Sequence, residues 1–561
     1  MKRFLIGLAI ILLAFFFRFN NLNWDETFHL HPDERFLTMV GQAMKIPSSI
    51  NQYFDQKTSL LNPANIGYNF FVYGRFPLIL TKYLAVNLNL DNYNNFTILG
   101  RQLSAFFDLL IIFFIIKTVE LLEKKMRFKP SIKYWAGFFY AISVLPIQLS
   151  HFFTVDTFLN FFMFGSFYFA LRYSMTGGRT PPLRYLFLSG VFFGLALSCK
   201  ITALFILPLN LFFIIKTVFV RRQSLIKASG FILIYFAINY FTLRFADPYL
   251  FQSANFFNPT LNTQFVENIK QLKSFEGKDI WYPPAVQWIN KPAVIFSLIN
   301  LTVFGIGIPY FALALVGIFN ILIYKKRQLL IIIFWVLAFF LYQSVQFVKA
   351  MRYFVFIYPF LAIFAGIGIV SLFEWIAKQF KNKEILNAFY LILAIILLIW
   401  PIMFSSIYFN KNSRVEASEW IYKNLPSGSY ILSESWDDSL PLSVANNYGK
   451  QFSGEQLLVF DPDNPEKWKK INMSLEKADY YILSSNRGWG SIMTVPEKYP
   501  QMSQFYKDLL VDKLSYKKIK EFKPYYYKFF QLPNSWVDES FTVYDHPEVL
   551  IFKNDRLFFA K

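Results

Sequence analysis

Between Trp24 and Arg35 the chain carries four carboxylates, Asp25, Glu26, Asp33 and Glu34, and two of its 4 histidines, His29 and His31. Pro32 suits a first helical turn, which makes Asp33 and Glu34 early helix residues, where the helix dipole favours the anion. An ionised carboxylate at the lip of a cleft is what a general base needs; helix capping on a solvated face is the plainer reading of the same pattern. The histidine spacing is a weak metal signal. A second acid, Asp156, sits in a short turn ahead of a run that is apolar to Ala170. An acid there is costly unless paired or functional, or else it caps a helix. Four cations, Arg101, Lys200, Arg244 and Arg352, mark the ends of apolar runs. They read either as side chains snorkelling to head groups or as groups converging on a phosphate, arginine through its fork and lysine as a point charge. Lys200 interrupts apolar sequence directly after Gly194–Cys199, where its presence needs a reason.

These residues need a scaffold that holds them at one level. The 561-residue chain is 55% hydrophobic and 16% charged, with 70 Phe, which excludes a disordered chain or a fibre. Stretches apolar enough to cross a bilayer fall near residues 4–19, 101–122, 132–150, 157–173, 184–199, 201–219, 228–245, 298–323, 329–346, 354–373 and 386–409, eleven in all. Lys200 leaves open whether 184–199 and 201–219 are one broken element. The net charge of +20 lies wholly in residues 1–410, because residues 411–561 hold 20 Lys+Arg and 20 Asp+Glu. A basic surplus confined to the apolar part argues against nucleic acid as a partner and for the positive-inside rule. With the N-terminus inside, the inner segments from Lys2-Arg3 to Lys378, Lys381 and Lys383 carry 21 basic residues, Arg127, Arg179, Arg222 and Lys325 among them, against four acidic ones. An odd span count then puts the C-terminal region outside the cell membrane, together with segments 20–100 and 246–297. Phe17-Arg18-Phe19 offers no small-residue cleavage site, so the first apolar run reads as an uncleaved anchor.

The expected architecture is mainly α. A polytopic membrane bundle covers 1–410, with interfacial amphipathic helices after Pro32 and near 76–90. A small extracytoplasmic α/β domain covers 411–561. There, 414–424 predicts a helix broken by Leu425-Pro426-Ser427-Gly428, and 430–433, 480–484, 542–544 and 549–552 predict strands. The one cysteine, Cys199, excludes an intrachain disulfide.

Taken in order, five motifs carry a resemblance: His31-Pro32-Asp33-Glu34 after the first span, Arg101-Gln102-Leu103-Ser104-Ala105, Pro146 followed by Asp156, Gly194-Leu195-Ala196 with Lys200, and Met351-Arg352-Tyr353 before Pro359. They resemble glycosyltransferase family 39, that is the protein O-mannosyltransferases, and the aminoarabinose-transferase-like enzymes, within the C-type (GT-C) membrane glycosyltransferases. The resemblance covers about residues 1–400; Trp420-Ile421, Pro426-Ser427-Gly428 and Asp545-His546-Pro547 are similar to outer domains of some bacterial members. It implies an inverting hexosyl or pentosyl transfer from a polyprenyl-phosphate-sugar donor to a glycan, lipid or protein hydroxyl at the outer membrane face. By the same resemblance Asp33 is the catalytic base, Glu34 positions the acceptor or the helix, and Asp156 orients donor or acceptor. Arg101, Lys200 and Arg352 bind the lipid phosphate. The leaving group is already a phosphate, so no general acid or cofactor is required; no metal site is assigned, and a divalent cation between Asp33 and Asp156 stays open. The family's peptide-reading regions have no recognisable counterpart. The alternative function is a transporter or flippase of lipid-linked sugar, which would want polar residues and broken helices near the midplane. A membrane-anchored sensor or scaffold ranks third.

Overall fold

The computed structural model describes residues 2–126, 129–176, 182–221, 224–324, 326–380, 382–531 and 533–555. Arg127, Arg179, Arg222, Lys325 and Lys381 of the expected inner basic set lie outside them. All eleven apolar stretches are helical, the conformation that pairs every backbone group within its own segment. By length and apolarity alone, four helices among the described residues can cross a membrane: Ile201–Val220, Ile226–Ala246, Met351–Gln379 and Lys383–Tyr408. The bent pair Ile295–Gly305 and Ile308–Ile323 makes a fifth if counted as one. Two expected spans are broken helices: the stretch 298–323 turns by 112°, and 132–150 is two helices, Ile132–Ala141 and Val144–Ser150.

The second break has a chemical partner. Carbonyls freed near it, Tyr140 O and Ala141 O, accept from Arg18 at 3.1 and 2.9 Å. Arg18 is in turn paired with Asp108 at 2.6 Å, and Asp108 also accepts the Tyr140 hydroxyl at 2.6 Å. All of these groups are buried, so the charge is neutralised where the backbone is opened. The Ile308–Ile323 and Tyr358–Gln379 helices meet backbone to backbone: a Cβ on Gly317 would stand 1.9 Å from Phe364 O, and one on Gly368 1.9 Å from Leu313 O. Small residues at such crossings are the usual means of helix association in lipid.

After Lys383–Ser405 the chain enters the Ser413–Asn424 helix, capped by the Asn412 side chain accepting from Arg414 N at 2.9 Å. A five-stranded sheet follows, with β1 Tyr430–Glu434, β2 Ser453–Leu457, β3 Tyr480–Leu483, β4 Tyr516–Phe522 and β5 Val549–Asn554 in the order β2-β1-β3-β5-β4. β1 runs parallel to β2 and β3, whereas β5 is antiparallel to β3 and β4. The strand expected at 542–544 is corrected: it is a turn, and Phe541, Val543 and Tyr544 insert into the core of the helical bundle together with Tyr526 and Val537.

Candidate active site

Asp33 and Glu34 open the Pro32–Ala43 helix, with His31 at its N-cap accepting from Glu34 N at 3.3 Å. The His31 ring lies 4.4 Å from that of Phe152 and 4.5 Å from that of Tyr544. Burial pushes its pKa down to about 4, so it is neutral at pH 7. Asp156 begins the Asp156–Met175 helix. Lys200 precedes the tight turn Ile201–Ile206, after the Leu183–Leu197 helix has ended. Backbone bonds hold that break in place: Gly74 N donates to Cys199 O at 2.8 Å and Phe76 N to Ser198 O at 3.1 Å. A Cβ on residue 74 would meet Ser198 O at 2.1 Å, so this contact requires glycine. Arg352 stands in the turn Met351–Ile357.

These elements bring two ion pairs to one ring. Arg352 pairs with Asp33, and Lys200 Nζ lies 3.3 Å from Asp156 Oδ1. The Tyr353 ring centroid is 4.7 Å from Lys200 Nζ and 5.5 Å from Arg352 Cζ. The half-buried Tyr73 phenol, raised first by desolvation, is acted on by the charges of Asp33, Arg352 and Asp156 together. Asp33, Asp156, Lys200 and Arg352 are therefore one cluster. Burial alone would raise the Asp33 carboxyl, but the Arg352 guanidinium beside it outweighs this and holds it well below the usual carboxylate range. The Arg352 Nε–H and the Thr154 and Thr157 hydroxyls flanking Asp156 are buried without a partner.

Glu34 and Arg101 form a second, fully buried cluster with Asp25. Arg101 Nε donates to Glu34 Oε1 at 2.7 Å, and Nη2 donates to Glu34 Oε2 at 2.7 Å and Asp25 Oδ2 at 2.8 Å. Nη1 donates to Asp25 Oδ1 at 2.9 Å and Leu22 O at 2.7 Å. All five donors of the guanidinium are engaged, which ties the start of the Asp33 helix to the bundle and leaves none of them directed at a phosphate here. Glu34 Oε1 also accepts from Phe153 N at 2.8 Å, fixing the turn before Asp156. Arg244 turns to its own loop, donating to Ser253 O at 2.8 Å and Asn255 O at 2.7 Å.

Sequence reasoning missed the share of residues 411–561. Arg35, two residues after Asp33, pairs with Asp438 at 2.6 Å, and Arg414 binds Asp437 at 2.9 Å and Asp438 at 3.2 Å. No local pattern announces partners so far apart in the chain. Sequence reasoning also missed an apolar groove of about 780 Å³ between the helices Phe76–Asn87, Leu183–Leu197 and Leu225–Ala246, lined by Phe76, Leu80, Phe187, Leu195 and Phe241. Phe76 and Leu195 bring one end of it near the break that carries Lys200. Asp33 and Asp156, the pair left open to a divalent cation, each face a cation of the chain. Among the described residues no three His, Cys, Asp or Glu come together as metal ligands.

Residues 36–258 match the family model for dolichyl-phosphate-mannose-protein mannosyltransferases, a stretch that starts just after Asp33 and includes Asp156 and Lys200. Over 89% of its length the chain is similar in fold to the oligosaccharyltransferase of Archaeoglobus fulgidus. For its complex with Zn and sulfate the TM-score is 0.52 at 14% identity, covering 89% of this chain and 71% of that one. For the form tethered to an acceptor peptide with the NVT sequon the TM-score is 0.53 at 13% identity, with the same coverage of 89% and 71%. The chain has the fold of a C-type membrane glycosyltransferase. That is the class whose motifs His31-Pro32-Asp33-Glu34 and its successors resemble. ArnT from Cupriavidus metallidurans in the apo state aligns over 99% of this chain and 98% of its own, at 14% identity and a TM-score of 0.46. No curated protein matches the sequence.

Proposed function

We propose that this GT-C fold is an inverting glycosyltransferase that moves a sugar from a polyprenyl-phosphate donor to an acceptor hydroxyl at the outer face of the cell membrane. In this reading the N-terminus is cytoplasmic, eleven spans cross the bilayer, and residues 411–561 are extracytoplasmic. The observation that supports it best is the paired arrangement of Asp33–Arg352 and Asp156–Lys200 around Tyr353. Each carboxylate occupies the place that a donor phosphate takes on arrival. The phosphate then draws Arg352 and Lys200 to itself, through the unpartnered Arg352 Nε–H among others, and the polyprenyl chain lies in the apolar groove beside Phe76 and Leu195. Released from Arg352, Asp33 gains basicity when the donor is bound.

The chemical step then balances. The acceptor oxygen attacks the anomeric carbon from the face opposite the phosphate, through an oxocarbenium-like transition state. The C1–O bond to phosphate breaks with its electron pair leaving on the polyprenyl phosphate, whose growing charge Arg352 and Lys200 stabilise. Asp33 takes the acceptor's proton. Asp156 orients the reactants, while Glu34 and Arg101 hold the helix that presents Asp33. A hard divalent cation, of the kind held by one or two carboxylates plus substrate phosphate oxygens, would have to draw on Asp33 and Asp156 with the donor in place. The test is Asp33→Asn: transfer should fall by about 10²–10⁴-fold with polyprenyl-phosphate binding kept. Transfer at the wild-type rate would refute the reading.

A further inference from the structure

The outer sheet has a switch point. From β1 the chain passes to β2 on one side, then returns to β3 on the other. In open α/β sheets, the crevice beyond the carboxyl ends of the strands at such a point is where ligands bind. Those ends lead into Ser435-Trp436-Asp437-Asp438 and Ser484-Ser485-Asn486-Arg487, and this end of the sheet faces the candidate active site, because Asp438 pairs with Arg35. Trp436 is 43% exposed and sits at φ 71°, in a left-handed conformation disfavoured for a bulky residue. Its ring meets Tyr282 at 5.9 Å; Tyr282 stacks on Phe275 at 4.6 Å and 16°; Phe275 meets Phe70 at 6.1 Å. The Tyr282 phenol, raised chiefly by desolvation, also feels the charge of Asp33. At the domain end, Arg487 Nη1 donates to Trp436 O at 2.8 Å while its Nε–H is buried without a partner.

The geometry points to this aromatic ridge as the acceptor subsite, and to a glycan as the acceptor it takes; the inference rests on Asp33 activating the acceptor hydroxyl. A sugar ring has an apolar C–H face and a rim of hydroxyls. It fits an open row of rings, which offer area at low entropic cost, flanked by a guanidinium and carboxylates that bond its hydroxyls. A peptide adding itself to the sheet would need a free edge, and the edges are β2 and β4, not the β1–β3 crevice.

The test uses the full chain in detergent micelles, with chitotriose and maltotriose as glycan probes and a Ser/Thr hexapeptide beside them. Saturation-transfer NMR reads binding without transfer. At least one trisaccharide should bind, weakened about fivefold or more by Trp436→Ala and by Tyr282→Ala, and unweakened by Trp436→Phe and Asp33→Asn. Undecaprenyl phosphate binding controls for folding; if Trp436→Ala loses it, Tyr282→Ala decides. No trisaccharide signal, a signal indifferent to both alanine variants, or a peptide signal that they remove would overturn the inference. Since Asp33→Asn leaves the ridge intact, failure of the transferase reading and failure of the glycan reading appear in different measurements.

Discussion

Replacing Arg352 by glutamine probes how the site sets the basicity of Asp33. In the resting protein Arg352 is the cation paired with Asp33. His31 is neutral at pH 7, pushed down to about 4, and Lys200 is engaged by Asp156. Burial opposes ionisation of Asp33, and Arg352 overcomes it. The sign follows. A depressed carboxyl stays ionised as pH falls; without Arg352, desolvation is opposed mainly by the weaker pull of Lys200, and the carboxyl takes up its proton at higher pH. An opposite charge at contact distance is worth about 1–3 pKa units to an aspartate, so the acid limb of kcat/KM should rise by about that much in Arg352→Gln. Activity near pH 3–4 should then fall more steeply than at pH 8. Losing a charge-assisted bond to phosphate should also weaken donor capture by about 10- to 100-fold at every pH. Arg352→Lys separates the two effects: it keeps the charge and restores the acid limb, but lacks the planar fork and restores donor affinity only in part. The measurement is transfer from a polyprenyl-phosphate sugar between pH 3 and 8.5. An unchanged acid limb in Arg352→Gln would refute the coupling between Arg352 and Asp33.

Arg101→Met should destabilise the protein by about 3–5 kcal/mol, because it leaves Asp25 and Glu34 buried without their cation; thermal denaturation in detergent checks it. Adding Asp25→Asn and Glu34→Gln should recover most of the loss, and a variant no less stable than wild type would return Arg101 to the list of phosphate ligands. In the C-terminal sheet, burial pushes Glu434 up to about 7 although the Tyr481 and Tyr506 hydroxyls donate to it at 2.5 and 2.6 Å. A carboxyl raised on folding favours the native state fully below its unfolded pKa and loses that advantage as pH rises through the folded value. The swing corresponds to about 3 kcal/mol. Glu434→Gln should therefore flatten the stability profile between pH 4.5 and 7 and raise the melting temperature at pH 8, and parallel wild-type and variant profiles would contradict this.

What the sequence disclosed depended on whether the governing interaction was local. Apolar length announced all eleven helical stretches, and Pro32 announced the helix that carries Asp33. Lys200 was conspicuous because a charge inside apolar sequence needs a cause, which the structure supplies in Asp156. Arg101 was equally conspicuous, but its type and place were the same whether it met a phosphate or two carboxylates. Only the fold brings Asp25 and Glu34 to it. In the C-terminal sheet the buried β1, β3 and β5 were visible as short apolar runs, whereas the two edge strands were not. β2 is Ser-Gly-Glu-Gln-Leu, and β4 is Tyr-Lys-Lys-Ile-Lys-Glu-Phe. Lysines on an edge strand discourage pairing with another chain, and the same substitution for apolar residues removes the signal by which a strand is read. The reverse error occurred at Thr542–Tyr544. There an apolar run reported burial correctly but not the partner, since Val543 and Tyr544 fill the helical bundle rather than the sheet. Tyr544 contacts His31, the cap of the Asp33 helix, with its ring, and Arg35 of that helix binds Asp438. The segment read as part of an appended domain is therefore built into the wall of the candidate active site. Removing residues 411–561 would open that site, and not only alter the choice of acceptor.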